Sequence, residues 1–132
     1  MIVEVKQEHI DNGTRGCPCY CAVSLAVYDA LKDKYKFTCI YGHFLDADVM
    51  REAVEVGESW IETAVCGSGA EISIFTKLED GKIVEDYIAI EDEAPINSMN
   101  ALALERWIED FDTFDNSEPT SFKIEDIHRM NN

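Results

Sequence analysis

Apolar and charged positions change period along this chain, and each change marks an element. Ile2 to Val5 alternates apolar with charged, the pattern of a half-buried strand, and Glu8 to Asn12 followed by Gly13 predicts one helical turn closed by a glycine cap. Thr14 to Pro18 reads as loop. From Cys21 to Lys34 the apolar residues Ala22, Leu25, Ala26, Tyr28 and Leu31 recur at helical spacing, with Asp29, Lys32, Asp33 and Lys34 toward water. Tyr35 to Tyr41 reads as a strand covered on one side, and Asp46 or Asp48 is placed to cap a helix through Val49, Met50, Ala53 and Val54 that stops at Gly57.

The second half continues in strands. Trp60 to Cys66 carries β-branched Ile61, Thr63 and Val65 and ends at Gly67-Ser68-Gly69, which predicts a strand and a turn. Glu71 to Leu78 and Ile83 to Ile90 flank an Asp80-Gly81 pair, the pair that tight hairpins favour. A two-residue loop there pairs Leu78 with Ile83, Ile74 with Tyr87 and Ile72 with Ala89 on one face, and leaves Asp86, Ile88 and Ile90 on the other. Glu91 to Pro95 breaks regular structure, and Asn97 or Ser98 is placed to cap a helix through Leu102, Leu104, Trp107, Ile108 and Phe111. Asp115 to Pro119 reads as loop, Ser121 to Ile124 as a short closing strand, and the tail after Asp126 as frayed. The sum is an α+β fold, one domain over residues 1–132, with about three helices and a mainly antiparallel sheet.

Composition supports a single core and adds one unusual property. The 132 residues are 46% hydrophobic, enough for one core, but 11 Lys and Arg stand against 27 Asp and Glu, a net charge of −16. Direct binding of nucleic acid, which needs clustered basic side chains, is therefore not expected. The acid is unevenly spread: residues 1 to 78 hold 12 acids and 7 bases, residues 79 to 132 hold 15 and 4. Glu85, Asp86, Glu91, Asp92, Glu93, Glu105, Glu109, Asp110, Asp112 and Asp115 are the candidate partner-binding residues, a negative surface that imitates phosphates before a basic groove. No basic stretch precedes an apolar run at the start and no apolar run is long enough to span a bilayer, so a cytoplasmic protein without membrane contact is expected.

Candidate chemistry is sparse. Cys17-Pro18-Cys19-Tyr20-Cys21 sets three thiols at the mouth of a helix, where zinc or a reactive thiolate is chemically reasonable. The spacing differs from the common paired zinc frameworks, so a fourth ligand from Cys39, Cys66, His9 or His43 has to be brought in by folding. Burial of the thiols as small apolar groups is the plainer expectation. His9, His43 and His128 stand in no motif with a known mechanism, which makes an enzyme the less favoured class. Gly67-Ser68-Gly69 resembles a phosphate cradle only in its glycines, since no Lys-Ser or Lys-Thr follows it.

The two ends of the chain carry a resemblance. Val3, Val5, Gln7, His9-Ile10-Asp11-Asn12-Gly13, Gly16 and Cys21-Ala22-Val23-Ser24-Leu25-Ala26, with Trp107-Ile108, Phe111-Asp112, Pro119, Ser121-Phe122 and Ile124, resemble small uncharacterised proteins of tailed bacteriophages. Ala22 stands where proline is usual and Ser24 where alanine is usual. That family brings no established activity, so no catalytic residue carries over. The resemblance implies a phage or prophage origin and a small acidic accessory protein that acts by binding. The expected partner is a host or phage protein with a basic surface, and the expected effect is inhibition of a host defence system of the restriction or CRISPR kind. A thiol- or zinc-dependent accessory protein without inhibitor role is the alternative.

Overall fold

The β-branched and aromatic runs assemble into one antiparallel sheet, and the helices join it through apolar stripes. The computed structural model describes residues 1–38, 47–90, 99–114 and 117–129. Among these, the elements are β1 (Ile2–Val5), α1 (Gln7–Asn12), α2 (Ala22–Leu31), α3 (Ala47–Ala53), β2 (Ser59–Val65), β3 (Ala70–Lys77), β4 (Ile83–Ile90), α4 (Ala101–Phe114) and β5 (Thr120–Arg129). The sheet order is β1-β5-β4-β3-β2, and every neighbouring pair of strands is antiparallel. The α+β expectation holds. The caps at Asp46, Asn97 and Ser98, the break at Glu91 to Pro95 and the last three residues of the strand expected over Tyr35 to Tyr41 lie outside the described residues; the described part of that strand, Tyr35 to Thr38, forms only an isolated parallel bridge from Phe37 to Ser59, and Asp48 lies inside α3 instead of capping it.

Three local features differ from expectation, each for a physical reason. The hairpin joining β3 to β4 forms, but its loop has three residues: the Gly81 N–H donates to the Leu78 carbonyl at 2.9 Å, the Leu78 N–H donates to the Lys82 carbonyl at 2.8 Å, and Gly81 takes φ +83°. Lys77 then pairs with Ile83, Ile74 with Asp86 and Ile72 with Ile88. This one-residue slip turns every β4 side chain over, so Asp86, Ile88 and Ile90 face the core. The cap of α4 is Asn100, whose Oδ1 accepts the Ala103 N–H at 2.8 Å. Finally, β5 is ten residues long and fills the gap between β1 and β4, where a short strand and a frayed tail were expected.

Gly13 closes α1 without the left-handed cap its position suggested. Its φ is −70°, and a Cβ there would sit 2.7 Å from the Ala22 nitrogen and 2.8 Å from the His9 carbonyl oxygen. Close approach of two backbones, not positive φ, is what requires glycine at this position.

One face of the sheet holds Val3, Val5, Phe122, Ile88, Ile72, Ile74 and Ile61, all buried, and the core continues into α2 and α4 through Leu25, Tyr28, Leu31, Leu104 and Phe111. α2 is also pinned by polar bonds inside this core. The Tyr28 hydroxyl accepts the Ile61 N–H at 3.0 Å, the Ser24 hydroxyl donates to the Pro18 carbonyl at 2.7 Å, and the Ser24 and Thr63 hydroxyls lie 2.8 Å apart. Since Ser24 has one proton and gives it to Pro18, Thr63 is the donor to Ser24. On the opposite face Trp60 stacks on Phe75 at 5.1 Å between ring centres, and its indole N–H donates to Glu62 at 3.0 Å.

The two sheet edges are treated differently. Along the outer side of β2, the Ser59 N–H donates to the Lys36 carbonyl, the Thr38 N–H to the Ser59 carbonyl, the Ile61 N–H to Tyr28 and the Thr63 N–H to the Pro18 carbonyl. That edge is closed to another strand. Among the described residues, none donates to or accepts from the outer side of β1 between Ile2 and Glu4.

Candidate functional site

The segment leading into α2 was the first candidate for chemistry, and it folds into a packed turn. The Thr14 N–H donates to the Tyr20 carbonyl at 2.7 Å and the Cys21 N–H to the Cys17 carbonyl at 3.0 Å, which draws Cys17, Cys19 and Cys21 into the interior. None of them is in a disulfide. Cys21 sits at the helix amino terminus, a position that lowers a thiol pKa, yet burial raises it: desolvation outweighs the hydrogen bonds around Ser24. A buried thiol whose pKa is raised is a poor nucleophile. Among the described residues no group of three ligand atoms includes any of these thiols; Cys39 and His43 lie outside those residues, and Cys66 is exposed at the far end of β2.

The described residues bring ligand atoms together elsewhere, at Glu8, His9 and Asp29, within 4.8 Å of one another. His9 is buried; its Nδ1 accepts the Lys6 N–H at 2.9 Å and its Nε2 lies 2.6 Å from Oδ2 of Asp29. Because Nδ1 accepts, the proton of the neutral ring is on Nε2, where it is donated to Asp29. A metal at Nε2 would have to displace that proton while Nδ1 stays an acceptor, which requires an imidazolate. The group therefore suits a ligand that donates hydrogen bonds to Glu8 and Asp29 better than it suits a metal ion.

The ten acidic candidates separate by position. Glu91, Asp92, Glu93 and Asp115 lie outside the described residues. Glu109 and Asp110 are exposed on α4, beside Arg106. Glu85 is half-buried on β4 and accepts the Ser73 hydroxyl at 2.7 Å; Asp112 accepts the Gly16 N–H at 2.8 Å. Asp86 and Glu105 are corrections. Both are buried and so do not belong to a presented surface. Asp86 was turned inward by the hairpin slip, and it accepts the Tyr35 hydroxyl at 3.3 Å on the wall of a cleft of about 690 Å³.

Glu105 has a defined structural task. One of its oxygens, Oε1, accepts the N–H groups of Cys66, Gly67 and Gly69 at 3.0, 2.7 and 3.2 Å. The glycine-rich turn is an anion-binding nest, as its glycines hinted, and the anion it holds is a carboxylate of the same chain. Gly67 has φ +83° and Gly69 φ +138°, and Gly69 packs on Ala101, so the turn and the start of α4 are locked together. A second clamp joins the loop before α2 to the other end of α4: Arg15 donates through Nε to the Phe111 carbonyl at 2.9 Å, and its guanidinium lies 5.0 Å from the Phe111 ring centre.

The class of protein these features define is a small acidic α+β protein in which Cys17, Cys19 and Cys21 and several polar groups serve the core. Compared with known proteins, no family model, no curated protein and no solved structure matches the chain. Among the described residues, no helix is long and apolar enough to cross a membrane.

Proposed function

We propose that this protein acts by binding, presenting carboxylates to a protein whose basic surface otherwise holds nucleic acid. The observation that carries the reading is the net charge of −16 together with the placement of the described acids, among which only Asp86 and Glu105 are buried. Such a field accelerates encounter with a basic partner and weakens with salt. The phage resemblance makes a host defence protein of the restriction or CRISPR kind the expected partner, with inhibition by nucleic-acid mimicry as the effect. Among the described residues no group of three ligand atoms includes a cysteine, so the thiol- or zinc-dependent alternative draws no support from them.

Affinity purification from expressing cells at low and high salt tests the reading. The expected result is recovery of a nucleic-acid-binding protein that duplex DNA or guide RNA displaces, and that the double variant Glu109→Gln/Asp110→Asn retains less well. A partner indifferent to salt and to nucleic acid would overturn it.

A further inference from the structure

The outer edge of β1 offers paired backbone groups to a partner. Met1 and Ile124 exchange both of their backbone bonds, at 2.9 and 3.3 Å, and β1 continues in register with β5 as far as Val5 opposite Thr120. An antiparallel ladder alternates, so Val3 and Val5 also bond inward, and the N–H and C=O groups of Ile2 and Glu4 point away from the sheet. The next outward N–H, that of Lys6, is taken by Nδ1 of His9, which ends the edge. The edge therefore has a definite length and a definite terminus.

Beside it runs a groove of about 280 Å³, lined by Ile2, Glu4, His9, Ala26, Asp29 and Ala30, with Lys6 at one end. The small side chains of Ala26 and Ala30 leave α2 low where an added strand would pass. At the closed end Glu8 and Asp29 converge on His9, and the Asp29 side chain is 49% exposed. As shown above, this cluster suits a hydrogen-bond-donating cation and disfavours a metal.

We infer that the edge of β1 is a docking edge for a basic extended segment, which joins the sheet as a sixth strand and sets a lysine or arginine side chain between Glu8 and Asp29. The inference rests on the reading of this protein as a binder of basic partners, and names where a partner segment would engage. Main-chain bonds to Ile2 and Glu4 supply affinity, and the carboxylates select the cationic side chain. A second copy of the chain is disfavoured as occupant, because it would bring another net charge of −16 and another set of Glu4, Glu8 and Asp29 to the same edge.

The test uses the blocked peptide acetyl-KVKVK-amide with the full-length protein, followed by NMR. The peptide acetyl-KPKPK-amide carries the same charge but cannot extend a ladder. Expected are slowed exchange of the Ile2 and Glu4 amides with the first peptide only, and about tenfold weaker binding in Glu4→Pro against about twofold in Glu4→Gln. Proline is tolerated where an edge N–H faces solvent, and native amide dispersion in both variants verifies the fold. Equal binding of the two peptides with Ile2 and Glu4 unprotected overturns the edge while leaving the acidic-surface reading standing. No binding of the valine peptide at low salt also overturns it, and the partner reading is then judged by the pull-down alone. Self-association in sedimentation that protects the same two amides assigns the edge to a second copy and overturns it as well.

Discussion

Replacing Glu105 should loosen one end of the molecule by an amount the structure allows to be worked out. In Glu105→Ala three N–H groups lose one acceptor. The Gly69 bond is buried, and an amide stranded there costs about 2 kcal/mol; those of Cys66 and Gly67 are partly open, so water replaces the carboxylate at about 0.5 kcal/mol each. The expected loss is about 3 kcal/mol, or roughly 10 °C in Tm for a chain of this size. Glu105→Gln keeps an oxygen in place and gives up only the charge, for about 1 kcal/mol. Urea unfolding measures both, and amide exchange at Cys66, Gly67 and Gly69 localises the effect. If Glu105→Ala costs under about 1 kcal/mol and those three amides exchange as before, the carboxylate does not hold the turn and the reasoning fails.

Three further outcomes follow from the same structure. Burial raises the Glu62 pKa above the ordinary carboxylate value, against the opposing pull of the Trp60 N–H and Arg51. Between the unfolded and folded values the native state binds more protons, so stability falls as pH rises through that window; Glu62→Gln should remove the fall and be the more stable form at neutral pH, and denaturation midpoints that track wild type at every pH would count against it. Alkylation of the native protein mapped by mass spectrometry should label exposed Cys66 and spare Cys17, Cys19 and Cys21 until denaturant is added; rapid labelling of Cys21 would contradict its burial. Gly13→Ala should cost about 2 kcal/mol or more, because its Cβ meets two backbone atoms at 2.7 and 2.8 Å, and a neutral thermal shift would show that α1 can move aside.

How far the sequence disclosed this molecule depended on whether the deciding interaction was local. Periodicity located α2, β2, β3, β4 and α4 because each buries a stripe or face of its own side chains. The Asp80-Gly81 pair announced the hairpin but not its register, since the same dipeptide serves loops of two and of three residues. The fate of Asp86 followed from that single step. Glu105 was unreadable as a buried acid: its partners are Cys66, Gly67 and Gly69, far away in sequence, and only folding sets their N–H groups around one oxygen. The His9–Asp29 pair likewise joins two helices, and its one signal was a histidine beside Ile10 on the short apolar face of α1. The cysteine turn was half legible, in that burial could be expected from residue type while the Ser24–Thr63 network beneath it could not.

The place of β5 has a consequence for how the molecule is made. Among the described strands β5 comes last in chain order, yet it lies between β1, the first of them, and β4. Until it is synthesised, β1 and β4 each lack the strand they pair with, so the sheet cannot close from β1 onward. Pairing Val3 with Phe122 joins almost the whole chain into one loop before the core is complete. A nascent chain that stalls before residue 120 would hold the β2–β3–β4 meander alone, with the apolar side chains that β5 covers open to other chains.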